Sequence, residues 1–312
     1  MASEDLKVVF KDIIAEVHKV VIGHEEVVEQ VLIAILCNSN ALLESFHGMG
    51  KTTIIRSISK VLDLKYSYVH FTSGVKPQDI TGRYTTGGFI GKSKNFERGP
   101  IFTNILFVDR IDRGKQHTQA VLLEAMEAKQ ITVGNQTFTL PEPFFVLATK
   151  NPIESTYPLL DTMQDRFLLK IIVDYPDPQR ELDIVNRFTS STPKPEIKPM
   201  LDKKSILRLQ KLTKEVVAGD DMKKRAIDLV LMTRNRKDLV QLGASPRVSI
   251  DMINAAKAHA LMQGRNLVSA EDIDYVALPV LRHRIILNPK MDHEGKTPDD
   301  IIRMLVRKLE IR

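Results

Sequence analysis

Cysteine occurs once in the 312 residues, at Cys37. That excludes an internal disulfide and a metal cluster held by several cysteines. Cys37 lies within an apolar helical pattern, so it is expected in the buried core. No apolar run approaches the roughly 18 residues that a membrane-spanning helix needs. The opening stretch MASEDLKVVFKDII is amphipathic and acidic early, and it carries no signal-peptide core. Internal repeats and low-complexity tracts are absent. The formal net charge of +6 is too modest to point to nucleic acid by itself, although it suits an anionic ligand such as a nucleotide. Together these absences point to a cytoplasmic protein with no membrane span.

What is present is a soluble globular composition, 43% hydrophobic and 27% charged, in a chain long enough for a sizeable core and two domains. The chain is organised around residues 42–53, LLESFHGMGKTT. An apolar run, then Gly48 and Gly50 on either side of Met49, then Lys51-Thr52-Thr53 and an amphipathic segment, is the order strand, loop, helix. Glycines let backbone N–H groups turn toward phosphate oxygens, and the helix start adds partial positive charge. Lys51 would reach the β- and γ-phosphates of ATP, and the Thr52 hydroxyl would ligate Mg²⁺. The usual pattern G-x-x-x-x-G-K-[ST] places its first glycine at position 45, where this chain has Ser45. Two glycines of three are also compatible with a simple turn, so the neighbouring motifs decide.

Apolar spacing predicts one amphipathic helix through Leu6, Val9, Phe10, Ile13 and Val17 and a second through Val27, Val31 and Ile35. Strands are expected over 67–71, 101–109, 144–149 and 167–173. Asp109 ends the continuous apolar run 101–109, and active residues in buried parallel sheets sit at strand carboxyl ends. Residues 77–99, rich in Gly, Thr and Lys, read as a loop carrying a small hairpin. Residues 131–140 alternate about Gly134-Asn135, a hairpin signal. Residues 189–199 carry three prolines and read as a linker. Only helical periods follow, over 203–217, 222–236, 249–263, 270–281 and 298–309. The expected architecture is an α/β domain over 1–188, the linker 189–199 and a helical domain over 200–312.

The phosphate loop, FTSGVKPQDITG (71–82), GPIFTN (99–104), QAVLLEAMEAKQITVG (119–134), LPEPFFVLATKNPIE (140–154), TYPL (156–159), QDRF (164–167) and GASPR (243–247) together resemble the MoxR family of AAA+ ATPases. The resemblance covers about 22–283. It implies a parallel five-stranded AAA+ core with helices on both faces, an all-helical lid, an insert hairpin at 77–99, a hairpin before the sensor 1 motif and assembly into a hexameric ring. It matches Lys51 and Thr52 to the phosphate-loop pair, with Ser45, Gly48, Met49, Gly50, Lys51, Thr52 and Thr53 around the nucleotide, and Asp109 to the Mg²⁺-associated carboxylate. Asn151 matches sensor 1, Arg166 the arginine finger that reaches a neighbouring subunit, and Arg247 sensor 2. Each keeps a simpler reading: Asp109 as an N-cap, Asn151 before Pro152 as a turn former, Arg166 as the ion partner of Asp165, Arg247 as a helix cap. Family members act as chaperone-like remodellers, often on proteins with a von Willebrand factor A domain.

The departures fall on the catalytic parts. The family ends its third strand Asp-Glu, and the glutamate polarises the attacking water. This chain has Asp109-Arg110, and a guanidinium cannot accept a proton. Loss of a positioned base costs about 10²–10⁴ in rate. Asp112 or Glu124 could supply a substitute, and Arg110 is expected to hold phosphate or to pair with Asp109 or Asp112. Ser45 is expected to be strained by about 1–2 kcal/mol at a glycine position. The segment around 155–163 is shorter than the family pattern. Three functions follow: an active though slow ATPase, a nucleotide-binding switch or scaffold without turnover, and a DNA-directed motor. The last would need a basic–aromatic strip of Lys92, Lys94 and Arg98 with Phe89 and Phe96, for which a solvated hairpin is the favoured alternative.

Overall fold

The computed structural model describes residues 3–86, 94–190 and 195–310. Helices α1 (Ser3–His18) and α2 (Glu25–Leu36) precede β1 (Asn40–Glu44), which runs through the phosphate loop into α3 (Lys51–Val61) and β2 (Tyr66–His70). A short helix α4 (Pro77–Thr81) opens the insert, whose hairpin is β3 (Gly82–Thr86) and β4 (Lys94–Arg98). Next come β5 (Ile105–Asp109), a single 3-10 turn (Ile111–Arg113), α5 (Gln116–Ala128), and the hairpin β6 (Gln130–Val133) and β7 (Gln136–Thr139). The core closes with β8 (Phe145–Lys150), α6 (Asp161–Gln164), β9 (Phe167–Ile172) and α7 (Pro178–Thr189).

Five strands form one parallel sheet in the order β2-β5-β8-β1-β9. The interiors of β1, β5, β8 and β9 are mostly apolar because both faces are covered, whereas the edge strand β2, YSYVH, is only partly buried. Alternation divides the side chains between faces. Ala41, Leu43, Phe107 and Leu147 join the cluster with α1, α2 and α3. Leu42, Leu106, Val108 and Ala148 join the cluster with α5 and the hairpins. The register sets Glu44 against Lys150 and His70 against Asp109. The polar strand ends therefore share one level along the carboxyl edge, where the phosphate loop also lies.

The remaining helices, α8 (Lys203–Glu215), α9 (Asp220–Asn235), α10 (Pro246–Met262), α11 (Ala270–Leu281), α12 (Pro289–His293) and α13 (Pro298–Glu310), form the lid. Its apolar side chains, such as Ile206, Val248 and Ala277, continue the first cluster. Arg284 fastens lid to core. Its side chain is buried, pairs with Asp165 at 3.1 Å and Asp251 at 2.7 Å, and donates to the carbonyls of Phe167 and Leu168.

Several expectations need correction. The lid is not wholly helical: β10 (Val240–Leu242) pairs antiparallel with β11 (Ile286–Leu287). Helix α7 forms where periodicity left 177–188 unassigned, started by the Asp177 cap on the Arg180 N–H and by Pro178. Cys37 is half-buried at the C-cap of α2, packed against the core and not fully within it, its thiol donating to the Asn254 carbonyl. Of the expected linker, 191–194 lie outside the described residues. Beyond them the chain is tied down, with Met200 N–H on the Val61 carbonyl and Lys198 N–H on Glu16. Residues 87–93, with Phe89 and Lys92, also lie outside the described residues. Among the described residues no helix is long and apolar enough to cross a membrane.

One buried carboxylate organises the lid. Asp272 accepts hydrogen bonds from His259 at 2.6 Å, from both Arg265 Nη atoms, and from the Ser269 N–H and hydroxyl. Burial alone would raise its carboxyl, but these bonds outweigh burial and hold it well below the ordinary value. A carboxylate depressed on folding contributes stability that is present above its unfolded value and is lost as pH falls toward its folded value. Asp272→Asn should therefore cost about 2–4 kcal/mol at neutral pH in denaturant melts. The gap from wild type should hold above the ordinary value of 3.8 and shrink only below it. A gap that stayed constant to pH 2 would show that charge plays no part.

Candidate nucleotide-binding site

The phosphate loop leaves β1 and enters α3 directly. Gly48 and Gly50 sit at φ 81° and 72°. A Cβ at either would meet nothing within 4 Å, so it is the left-handed backbone and not crowding that calls for glycine. Ser45 is not among the residues with positive φ. The expected strain is absent, because at this position the chain continues from the strand, with Ser45 N–H on the Lys150 carbonyl at 3.2 Å. The serine instead supplies a ligand. Lys51 Nζ donates to Ser45 Oγ at 2.5 Å and to the Phe46 carbonyl at 2.6 Å. Burial lowers the Lys51 pKa, with the Asp109 charge opposing. Thr52 and Thr53 lie exposed on the first turn of α3.

A cavity of about 270 Å³ opens over this loop. Ser45, Gly48, Met49, Gly50, Lys51 and Thr52 line one side, and Asp109, Arg110 and Asn151 the other. Thr53 faces a neighbouring cavity beside Val20 and Phe188, which Thr52 also lines. Asp109 is held by Thr149 Oγ1 at 2.6 Å, His70 Nδ1 at 2.9 Å and the Tyr68 hydroxyl at 3.0 Å. Burial pushes its carboxyl up, but these three bonds outweigh burial and keep it below the ordinary value. It is thus ionised and oriented at the carboxyl edge, as a ligand for a divalent cation must be.

Arg110 does not pair with Asp109 or Asp112. It adopts the left-handed region at φ 59°, its N–H bonded to Thr149 Oγ1 at 2.9 Å. Its guanidinium turns to Glu154 at 2.6 Å, which also receives Arg113 at 2.8 Å and lies 3.6 Å from His47 Nε2. Asp112 is buried beneath this cluster without a hydrogen bond on either oxygen, and burial raises its carboxyl. It does not line the cavity. Glu124 is turned toward the hairpin, accepting from Thr132 Oγ1 at 2.8 Å. Neither substitute base reaches the phosphate loop, so the cavity has Asp109 as its one carboxylate among the described residues.

Asn151 forms the expected turn and also reaches the phosphate loop. Its Oδ1 accepts from Ile153 N–H at 3.0 Å, shaping the turn, while its Nδ2 donates to His47 of the phosphate loop at 3.2 Å. Arg166 and Arg247 lie elsewhere. Arg166 precedes β9 and pairs with Glu127, not with Asp165, which goes to Arg284. Arg247 stands 3.9 Å from Asp251. Both line a separate cavity with Asn40 and Lys129. Asn40 starts β1 and the phosphate loop follows its end. At about 3.3 Å per strand residue the two cavities are on the order of 15 Å apart. His47, His70, Lys150 and Glu154 were not anticipated. His70 and Lys150 end β2 and β8, so the strand-end rule that selects Asp109 would also have selected them. Lys150 is neutralised by Glu44 at 2.7 Å.

Comparison with known proteins gives a consistent result. Residues 40–169 match the model described as ATPase family associated with various cellular activities (AAA), and 232–305 match the AAA lid domain. YeaC of Bacillus subtilis, whose function is uncharacterized, is 36% identical over 99% of this chain and 96% of its own. Chaperone MoxR1 of Mycobacterium tuberculosis is 34% identical over 96% of this chain and 81% of its own. A crystal structure of a proposed ATPase from Cytophaga hutchinsonii superposes with a TM-score of 0.89 at 33% identity, covering 98% and 96% of the two chains. Sequence motifs, sheet order, lid and relatives agree, and the chain belongs to the MoxR family of AAA+ ATPases.

Proposed function

We propose that the chain binds ATP with Mg²⁺ at the phosphate loop and couples binding or slow hydrolysis to chaperone-like remodelling or assembly of partner proteins. The observation that carries this reading is Lys51, whose ammonium points into the loop and meets only the Ser45 hydroxyl and the Ser45 and Phe46 carbonyls there. A cation without a carboxylate partner, between two left-handed glycines and a free helix start, is completed by a phosphate. Thr52 and Asp109 face the same cavity and have the hard oxygen donors that Mg²⁺ prefers. Bound there, the ion would neutralise phosphate charge. Asn151, steadied by its own turn, would orient a water. The neighbouring cavity beside Val20, Thr53 and Phe188 offers apolar walls for the base.

Hydrolysis is expected to be slow. Arg110 stands where the family places its base, and Asp112 and Glu124 face away. The switch without turnover is the second reading, and Arg110 favours it. The DNA-directed motor finds no support among the described residues. Phe96 stacks on Phe138 at 4.3 Å and meets Phe102 edge-on, and Arg98 lies 4.9 Å over the Phe102 ring, which favours a hairpin tied to the core over rings open to nucleic-acid bases. Arg166 and Arg247, remote from their own phosphate loop, suit a site shared with an adjacent copy. A ring, hexameric by family resemblance, and a partner with a von Willebrand factor A domain complete the proposal.

Three measurements test it. In calorimetry with Mg²⁺, Lys51→Ala should weaken ATP binding by about tenfold or more; equal affinity would remove the phosphate-loop reading. In light scattering, a non-hydrolysable ATP analogue should raise the oligomer mass and Arg166→Ala should blunt the rise, whereas a monomer at every concentration would exclude a shared site. In steady-state phosphate release, Arg110→Glu should raise turnover by about tenfold or more by restoring an acceptor. Fast wild-type turnover would instead assign the base to another residue, with His70 the first to mutate because it lines the cavity.

A further inference from the structure

Arg110 is fixed at one end and loose at the other. Its backbone N–H is bonded to Thr149, which also holds Asp109. Its side chain is 14% exposed and reaches one partner, Glu154, a carboxylate that is 54% exposed and lies on the loop after β8. Glu154 is shared with Arg113 and His47. Asp112, 1% exposed, is oriented so that neither oxygen accepts a bond, and the buried Nε atoms of Arg110 and Arg113 have no acceptor. Two guanidinium groups thus depend on a single half-exposed carboxylate, and an ion pair in such a setting holds weakly. The cluster borders the cavity of Lys51, which Arg110 itself lines.

We infer that Arg110 discriminates nucleoside triphosphates from diphosphates, its guanidinium leaving Glu154 for a γ-phosphate, and that Glu154 is the positioning residue that parks it otherwise. This inference rests on the nucleotide-binding reading above. A terminal phosphate carries more charge than a carboxylate and matches the planar fork of a guanidinium. A diphosphate ends one phosphate short and leaves Arg110 where it is. A ligand shifts such an equilibrium only by its differential affinity for the two states, so Glu154 competes with ATP for Arg110 and sets the preference. Asn151 Oδ1 accepts from the backbone N–H groups of Ile153 and Glu154, so the turn made by Asn151 is also what places Glu154 beside Arg110.

The test is calorimetry with β,γ-imido-ATP and with ADP, both with Mg²⁺, on the full chain. Wild type should prefer the triphosphate. Arg110→Gln should lower the triphosphate-to-diphosphate affinity ratio by about tenfold, the loss of one charge-assisted contact. Arg110→Lys, which keeps the charge without the fork, should keep part of it. Glu154→Gln should raise the ratio by about threefold or more, because the competitor is gone. A purely structural role for Glu154 would weaken both nucleotides together and leave the ratio unmoved. If both nucleotides bind and Arg110→Gln leaves the ratio unchanged, the inference fails and the nucleotide reading stands. If neither binds to wild type, the nucleotide reading fails and the inference falls with it.

Discussion

Lys51 carries a positive charge into a loop that offers it no carboxylate. Its ammonium is half-buried and held by a serine hydroxyl and a peptide carbonyl, and burial makes the charged form harder to keep. Much of the fold can be read as the means of holding that arrangement. The flanking strands β8 and β9 grip β1 on both sides, so the loop starts from a fixed point. Two left-handed glycines turn the chain, and α3 begins at Lys51 itself. Elsewhere along the same edge charges are matched: Glu44 meets Lys150 and Lys170 at 2.7 and 2.8 Å. The unmatched ammonium is therefore local to the loop, which is why an anion and not a rearrangement of the protein is its natural complement.

The sheet and its site were legible in the sequence to the extent that they follow local rules. A continuous apolar run ending in Asp109 announces a buried parallel strand and its reactive end. Glycine spacing announces the loop. The short pair β10 and β11 was not legible, because strands of three and two residues carry no periodicity. Helix α7 was missed although Leu182, Val185 and Phe188 recur at helical spacing, because its prolyl start resembles the linker beyond; none of its side chains is buried. At residues 101–104 the apolar run continues past the strand. There Thr103 and Asn104 turn to the Lys65 carbonyl and N–H, and pairing starts only at Ile105.

The partner of Arg110 was not legible for a different reason. Sequence proximity offers Asp109 and Asp112, whereas the observed acceptor is 44 residues away. Register takes Asp109 out of reach by setting it against His70 and within a bond of Tyr68. The single 3-10 turn after Arg110 folds Asp112 inward. With Asp109 bonded elsewhere and Asp112 turned inward, the guanidinium has Glu154 left, delivered by the turn that Asn151 makes. Each step is a three-dimensional consequence of strand pairing, which a motif records only as a position.

The same logic separates holding a nucleotide from cleaving it. Holding requires positive charge at the loop, and the chain has it in Lys51 and Arg110, with a single carboxylate, Asp109, in the cavity lining. Cleaving requires a proton acceptor beside a water, and the group at that place is a guanidinium. A cation there strengthens attraction to the terminal phosphate in the ground state. It contributes to rate only if that attraction grows in the transition state. Arg166 and Arg247, which on the proposed reading would supply transition-state charge, stand at the opposite edge of the sheet in a cavity of their own. A single copy thus has the means to bind at one edge and the cations for turnover at the other. On that reading occupancy of the loop, more than cleavage, is what one copy can report to the next.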